Sequence, residues 1–115
     1  MKVMGFYKET EGPEELTLEI IRGAGGELYV EIPTGLRNRM EIVVGNLIKC
    51  IVAGIVDEKG HYTRTIMGDV VWEIVGYWNE LHLAEADIQQ YGLKQGDRIK
   101  LVLKSAVQHG QEFPI

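Results

Sequence analysis

The stretch Glu80-Leu81-His82-Leu83-Ala84-Glu85-Ala86-Asp87-Ile88-Gln89-Gln90-Tyr91-Gly92-Leu93-Lys94-Gln95-Gly96-Asp97-Arg98-Ile99-Lys100-Leu101-Val102-Leu103 decides the fold. Leu81 and Leu83 alternate with His82, the period of a half-buried strand. Residues 84–91 are good helix formers, with Glu85 and Asp87 at the start, where the helix dipole favours negative charge. Ile88 and Tyr91 are three apart and share a face. Gly92 stands where a helix ends in the left-handed conformation that glycine adopts at low cost. Leu93 returns to the core, and Gly96-Asp97 is a tight-turn pair. Beyond it Ile99, Leu101 and Leu103 point one way, and Arg98, Lys100, Val102 and Lys104 the other. The unit is therefore strand, short helix, apolar residue, Gly-Asp turn, strand.

A looser copy occupies residues 27–52. Leu28, Val30 and Ile32 alternate with Tyr29 and Glu31, and Pro33 ends the strand. Leu36 and Met40 are four apart on a short helix. Gly45-Asn46 stands for Gly96-Asp97, and Ile48, Cys50 and Val52 form the inward set. Counting back from the turn, Ile42 matches Leu93 and Met40 matches Tyr91, while ahead of the helix the match needs a shift of about two residues.

Each copy is preceded by an alternating strand. Leu16, Leu18 and Ile20 define one over residues 15–22, and Val70, Trp72 and Ile74 define the other. Gly23-Ala24-Gly25-Gly26 leads into a strand rather than a helix and lacks Gly-Lys-Ser/Thr. It reads as a hairpin turn and not a phosphate cradle. Between the copies, residues 48–56 form a long strand, Asp57-Glu58-Lys59-Gly60 a turn, residues 61–67 a returning strand and Gly68-Asp69 a second turn.

The chain has 115 residues, the size of one domain, and 45% hydrophobic residues, enough for a core. The expected domain spans residues 1–115. Half one covers about 15–56, a connecting hairpin about 57–69 and half two about 70–105, with tails at 1–13 and 108–115. The expected fold is mostly β: a small six-stranded, pseudo-twofold symmetric barrel with two short helices, which leaves no open sheet edge. No apolar run reaches the ~18 residues that span a bilayer, and the first residues do not read as a signal segment. A cytoplasmic protein that does not enter membranes is expected. Seventeen acidic against twelve basic residues give a net charge of −5, which excludes coating of nucleic acid by bulk charge and leaves local basic patches.

The first unit resembles the AbrB/SpoVT/MazE group of swapped-hairpin DNA-binding domains. The matching residues are Gly25-Gly26, Leu28 to Pro33, Leu36-Arg37, Ile42, Gly45-Asn46 and Leu47 to Val52. Two such halves in one chain also look like a double-psi β-barrel of the cradle-loop group. The resemblance covers about 80 residues. It implies a DNA-binding transcriptional regulator, a homodimer, with Arg22, Arg37 and Arg39 at the duplex. Arginine suits that work because its planar fork grips a phosphate or a guanine edge. The alternative is a non-enzymatic module that binds another protein or a small ligand.

Enzyme chemistry finds little to work with. The only serine, Ser105, follows Lys104 rather than Gly, and neither half has Asp-Thr/Ser-Gly. Cys50 lies among Ile48, Ile51 and Val52 and reads as a small buried hydrophobe. His61, His82 and His109 are too scattered for a metal site. No catalytic set, cofactor or metal is expected. Asp97 and Asp69 read as turn residues, and Gly45, Asn46, Gly96 and Asp97 as turn stabilisers. Lys94, Arg98, Lys100 and Lys104 form an outward basic stripe for an acidic partner, or else a charged edge that discourages strand addition. Three arrangements would separate the functions. Arg22, Arg37 and Arg39 on one face means DNA. A groove lined by Tyr77, Trp78 and His82 means a ligand or partner. A buried Asp97 or Asp69 facing a His means catalysis.

Overall fold

The computed structural model describes residues 14–39, 45–76 and 79–115, the side chains of 14 and 37–39 excepted. The elements in chain order are β1 (Glu14–Glu19), β2 (Ile21–Arg22), β3 (Leu28–Glu31), α1 (Thr34–Arg39), β4 (Leu47–Val56), β5 (Tyr62–Val75), β6 (Glu80–His82), α2 (Glu85–Tyr91), β7 (Arg98–Gln108) and β8 (Gln111–Pro114). All strands join one curled, barrel-like sheet in the order β1-β7-β4-β5-β6-β3-β2, and β8 adds to β7. Every pairing is antiparallel. The chain is mostly β with two short helices.

The curl has a simple cause. β1 and β2 are separated only by Ile20, yet they pair with opposite ends of the strand order. Ile20 takes its own partners from the turn between α2 and β7. Its N–H donates to the Asp97 carbonyl at 2.8 Å, and its carbonyl accepts from the Gly96 N–H at 2.9 Å. A buried backbone group must be paired somewhere, and here the turn replaces a neighbouring strand.

Alternation sorts the side chains as the sequence implies. Ile48, Cys50 and Val52 of β4, Trp72 and Ile74 of β5, and Ile99, Leu101 and Leu103 of β7 are buried together with Val30 and Leu81. Helix α2 closes on this core through Trp72, whose indole N–H donates to Asp87 Oδ2 at 2.8 Å. Gly92 ends α2 at φ 61°, and the Leu93 N–H returns to the Ile88 carbonyl. The Thr34 hydroxyl at the start of α1 accepts from Asn79 Nδ2 at 2.9 Å.

Three expectations about elements need correction. Among the described residues there are eight strands, because the first expected strand breaks at Ile20 and the last residues form β8. Gly68-Asp69 is not a turn: β5 runs unbroken from Tyr62 to Val75 and bends where Met67 takes φ 54°. At Gly68 the Tyr91 ring occupies the space where a side chain would begin. Residues 108–115 are not a tail. His109 and Gly110, both at positive φ, make the two-residue turn that matches strand twist, and β8 follows.

β8 carries no core. Its residues are all exposed. Glu112 holds it, accepting from Lys49 Nζ at 2.8 Å and from the buried Ser105 hydroxyl at 2.7 Å. Those two bonds keep the Glu112 carboxyl below its ordinary pKa. A lowered folded-state pKa stabilises above the unfolded value and is lost as pH falls through the folded one. We therefore expect β8 to loosen first on acidification, below about pH 4. Amide chemical shifts of residues 111–113 and 115 should move there before those of β4, and Glu112→Gln should abolish the pH dependence. Unchanged β8 shifts down to global unfolding would refute this anchor.

Candidate functional site: two clefts beside the Lys94–Asp97 turn

The Gly96-Asp97 turn is built as its residue types suggest. Gly96 has φ 92°. Asp97 Oδ2 accepts from the Lys94 N–H at 3.0 Å, and Oδ1 lies 3.3 Å from Lys94 Nζ. The companion turn uses Gly45 at φ 95° and the buried Asn46, whose Oδ1 accepts from Gln108 Nε2 at 3.0 Å.

The Asp97 turn separates two clefts. The larger, about 690 Å³, lies between that turn and the tip of the β4–β5 hairpin. Its floor is Ile55 and Val56, and its walls carry Asp57, Glu58, Lys59, His61, Thr63, Asp97 and Arg98. The smaller, about 380 Å³, lies between the glycine turn and α2. Arg22, Lys94, Glu85 and Gln95 line it over Leu28, Ile88 and Leu93.

The carboxylates of the larger cleft are already engaged. Asp57 Oδ1 accepts from the backbone N–H groups of Lys59 and His61, each at 2.9 Å. Those bonds, the His61 one first, hold its pKa below the ordinary value. Asp97 is committed to Lys94. Arg98 and Lys59 form no ion pair among the described residues, so the uncommitted hydrogen-bonding groups of this cleft are mainly their N–H donors, although Asp57 and Asp97 keep their negative charge. Glu58 is the exception, exposed at the hairpin tip.

The sequence-derived candidates separate. Arg22 is exposed and shares the smaller cleft with Lys94. Arg37 and Arg39 lie on α1, with side chains outside the described ones. Of the basic stripe, Lys94 is paired with Asp97, and Lys104 Nζ lies 3.7 Å from Asp69 Oδ1. Lys100 Nζ sits 5.5 Å from the Tyr62 ring centroid, and Arg98 opens on the larger cleft. Tyr77 and Trp78 lie outside the described residues. His82 stacks on Tyr29 with centroids 5.6 Å apart, and its Nε2 is 3.0 Å from Glu80 Oε1. Partial burial, with Glu80, Glu31 and Glu27 nearby, pushes the Tyr29 hydroxyl up. Asp97 and His61 share a cleft, but Lys94 occupies the Asp97 carboxylate. Asp69 is exposed. Among the described residues no group of three or more His, Cys, Asp or Glu is placed to hold a metal, and no helix is long and apolar enough to cross a membrane.

Cys50 is no nucleophile. Burial pushes its thiol up to about 12, and its Sγ donates to the Ile48 carbonyl at 3.7 Å. The thiolate is the reactive form. A disulfide reagent at pH 8 should therefore label Cys50 only at the rate of unfolding, and labelling should accelerate in urea alongside loss of the near-ultraviolet signal. Rapid labelling of the native protein would contradict this placement.

No known protein family, curated protein or solved structure matches this chain. What defines its class is therefore the fold and its site: a barrel-like β-domain with two polar clefts flanking one turn. Sequence reasoning singled out Arg22, Lys94, Asp97 and Arg98 among the residues that line the two clefts. It missed Lys59, His61 and Thr63, because a hairpin tip carries no signal of what it faces.

Proposed function

We propose that this chain is a non-enzymatic binding module, built as a pseudo-twofold cradle-loop barrel of the double-psi or swapped-hairpin kind. Counting β1–β2 as one bent strand and β8 as an addition leaves six strands. Residues at a constant separation (30 and 81, 46 and 97, 50 and 101) occupy matching places. Val30 pairs with Leu81, and Ile51 with Val102, each with its own counterpart. Cys50–Leu103 and Val52–Leu101 are one contact exchanged between halves. Gly45 and Asn46 bond to Ile74 just as Gly96 and Asp97 bond to Ile20. The separation is 51 from Val30 onward, on both sides of the helices, and 54 for the earlier pair Ile20 and Ile74.

The larger cleft carries the binding reading. Its apolar floor, polar walls and volume of about 690 Å³ suit a small-molecule site. The test is amide chemical-shift mapping with small acidic, basic and neutral aromatic probes. Saturable shifts confined to residues 55–63 and 96–98 support the reading, and shifts scattered over the surface sink it.

DNA binding of the AbrB kind is the second reading, favoured by Arg22 and Lys94 in one cleft beside the glycine turn. Fluorescence anisotropy with random duplex DNA across a salt series tests it. The expected result is binding that weakens steeply with salt, through counterion release, and weakens further in Arg22→Gln and in Arg37→Ala/Arg39→Ala. No binding at low salt removes this reading and leaves the first intact.

A further inference from the structure

Resting on the cleft reading above, we propose that the larger cleft takes a small organic oxyanion, a carboxylate or phosphate monoester, gripped by Arg98. Asp57 and Asp97 line the cleft but are held by the N–H groups of their own turns. The Thr63 hydroxyl donates to the Ile55 carbonyl at 3.3 Å. What remains available is the Arg98 fork, the Lys59 ammonium and the imidazole of His61, whose side chain is 77% exposed and 3.9 Å from Asp57 Oδ2. A guanidinium presents parallel N–H donors that match two oxygens of a carboxylate or phosphate. Ile55 and Val56 beneath give an apolar body somewhere to rest. Glu58, exposed on the hairpin, disfavours a second negative charge on that body.

The opposite end of the same ribbon provides an internal comparison. β4 and β7 pair along their length, with Val56 facing Arg98 at one end and Leu47 facing Val107 at the other. At the Leu47 end, an apolar residue stands where Arg98 stands here, and Gln108 bonds across to Asn46. At the Arg98 end, an arginine stands over the open cleft between the Asp97 turn and the hairpin tip. An unpaired arginine costs little at a surface. Its position over an apolar floor, between two turns whose carboxylates are already engaged, is what selects an oxyanion.

The experiment uses four probes with one apolar body: benzoate, phenyl phosphate, benzylamine and benzyl alcohol, titrated into isotopically labelled full-length protein. Benzoate and phenyl phosphate should shift residues 59, 61, 63, 96 and 98 saturably, and benzylamine should not. Arg98→Gln should weaken anion binding about tenfold or more, since a charge-assisted bidentate contact is lost. Arg98→Lys, which keeps the charge and loses the fork, should fall between. Lys49→Gln removes a cation elsewhere and should leave binding unchanged. The relative response to benzoate and phenyl phosphate separates carboxylate from phosphate. Benzylamine or benzyl alcohol binding in the cleft while the anions do not overturns the oxyanion assignment and spares the cleft reading. Anion binding indifferent to Arg98→Gln removes the role of Arg98. No cleft shift with any probe ends both readings.

Discussion

Replacing Trp72 with alanine should cost about 3–5 kcal/mol, the usual range for removing a buried large aromatic. Trp72 is 1% exposed, the largest of the fully buried side chains among the described residues, and its indole N–H donates to Asp87 Oδ2. Domains of this size are stable by roughly 5–15 kcal/mol, so the alanine variant loses a large part of that margin. Two effects are combined in that loss and can be separated. Trp72→Phe keeps most of the volume and removes the hydrogen bond to a carboxylate, worth about 1.5–3 kcal/mol. If the bond fastens α2 to β5, Trp72→Phe and Asp87→Ala share that energy, and the double variant loses less than the two single losses together. Urea midpoints at constant slope give the four values. Additive losses would show that α2 is held by apolar contact alone. The consequence reaches the site, because Glu85 and Ile88 on α2 form one wall of the Arg22 cleft.

The parts of this fold legible in the sequence are those in which one periodicity governs both faces. Residues 47–52 of β4, residues 98–104 of β7 and the second half of β5 alternate, and their inward residues lie in the core. Gly92, Gly96 and Asp97 stand at positions that few other residues tolerate, so their roles follow from residue type alone. Other features depend on partners distant in sequence. Nothing local shows that Ile20 leaves its strand to bond the Asp97 turn, or that Tyr91 fills the space over Gly68. Gly68-Asp69 therefore reads as a turn when it is extended. β8 is unreadable for a different reason. Gln-Glu-Phe-Pro buries nothing and shows no period, and what holds it as a strand is distant in sequence: Glu112 on Lys49 and Ser105, and Ile115 packed against the core. The site divides in the same way. Arg98 is visible as an outward cation, while the hairpin tip that makes a cleft with it is visible only after folding.

Gly54→Ala should cost about 2–3 kcal/mol, the upper part of the usual overpacking range, although it adds a single methyl. Gly54 pairs with Thr65 on one side and Lys100 on the other, between two register shifts of β4. A Cβ there would fall on the Arg64 carbonyl oxygen and within 2.7 Å of Tyr62 Cδ1. Tyr62 can rotate away, because it is half exposed. The Arg64 carbonyl belongs to a neighbouring paired strand and cannot move without disturbing that ladder. Tyr62→Ala should therefore fail to rescue Gly54→Ala. Gly68 gives the opposite expectation. The obstacle there is the Tyr91 ring and its hydroxyl, the far end of a side chain, so Gly68→Ala should lose less and recover in the Tyr91→Ala background. Rescue at Gly54 by Tyr62→Ala, with constant denaturant slope, would mean that the ring rather than the backbone sets the limit. The effect also extends to function. Ile55 and Val56 follow Gly54 directly and form the floor of the larger cleft. A strand displaced at Gly54 moves that floor relative to Arg98, so the variant should lose probe binding in the cleft even at temperatures where it remains folded. Gly68→Ala, farther along β5 than Arg64 and outside the cleft lining, should keep it.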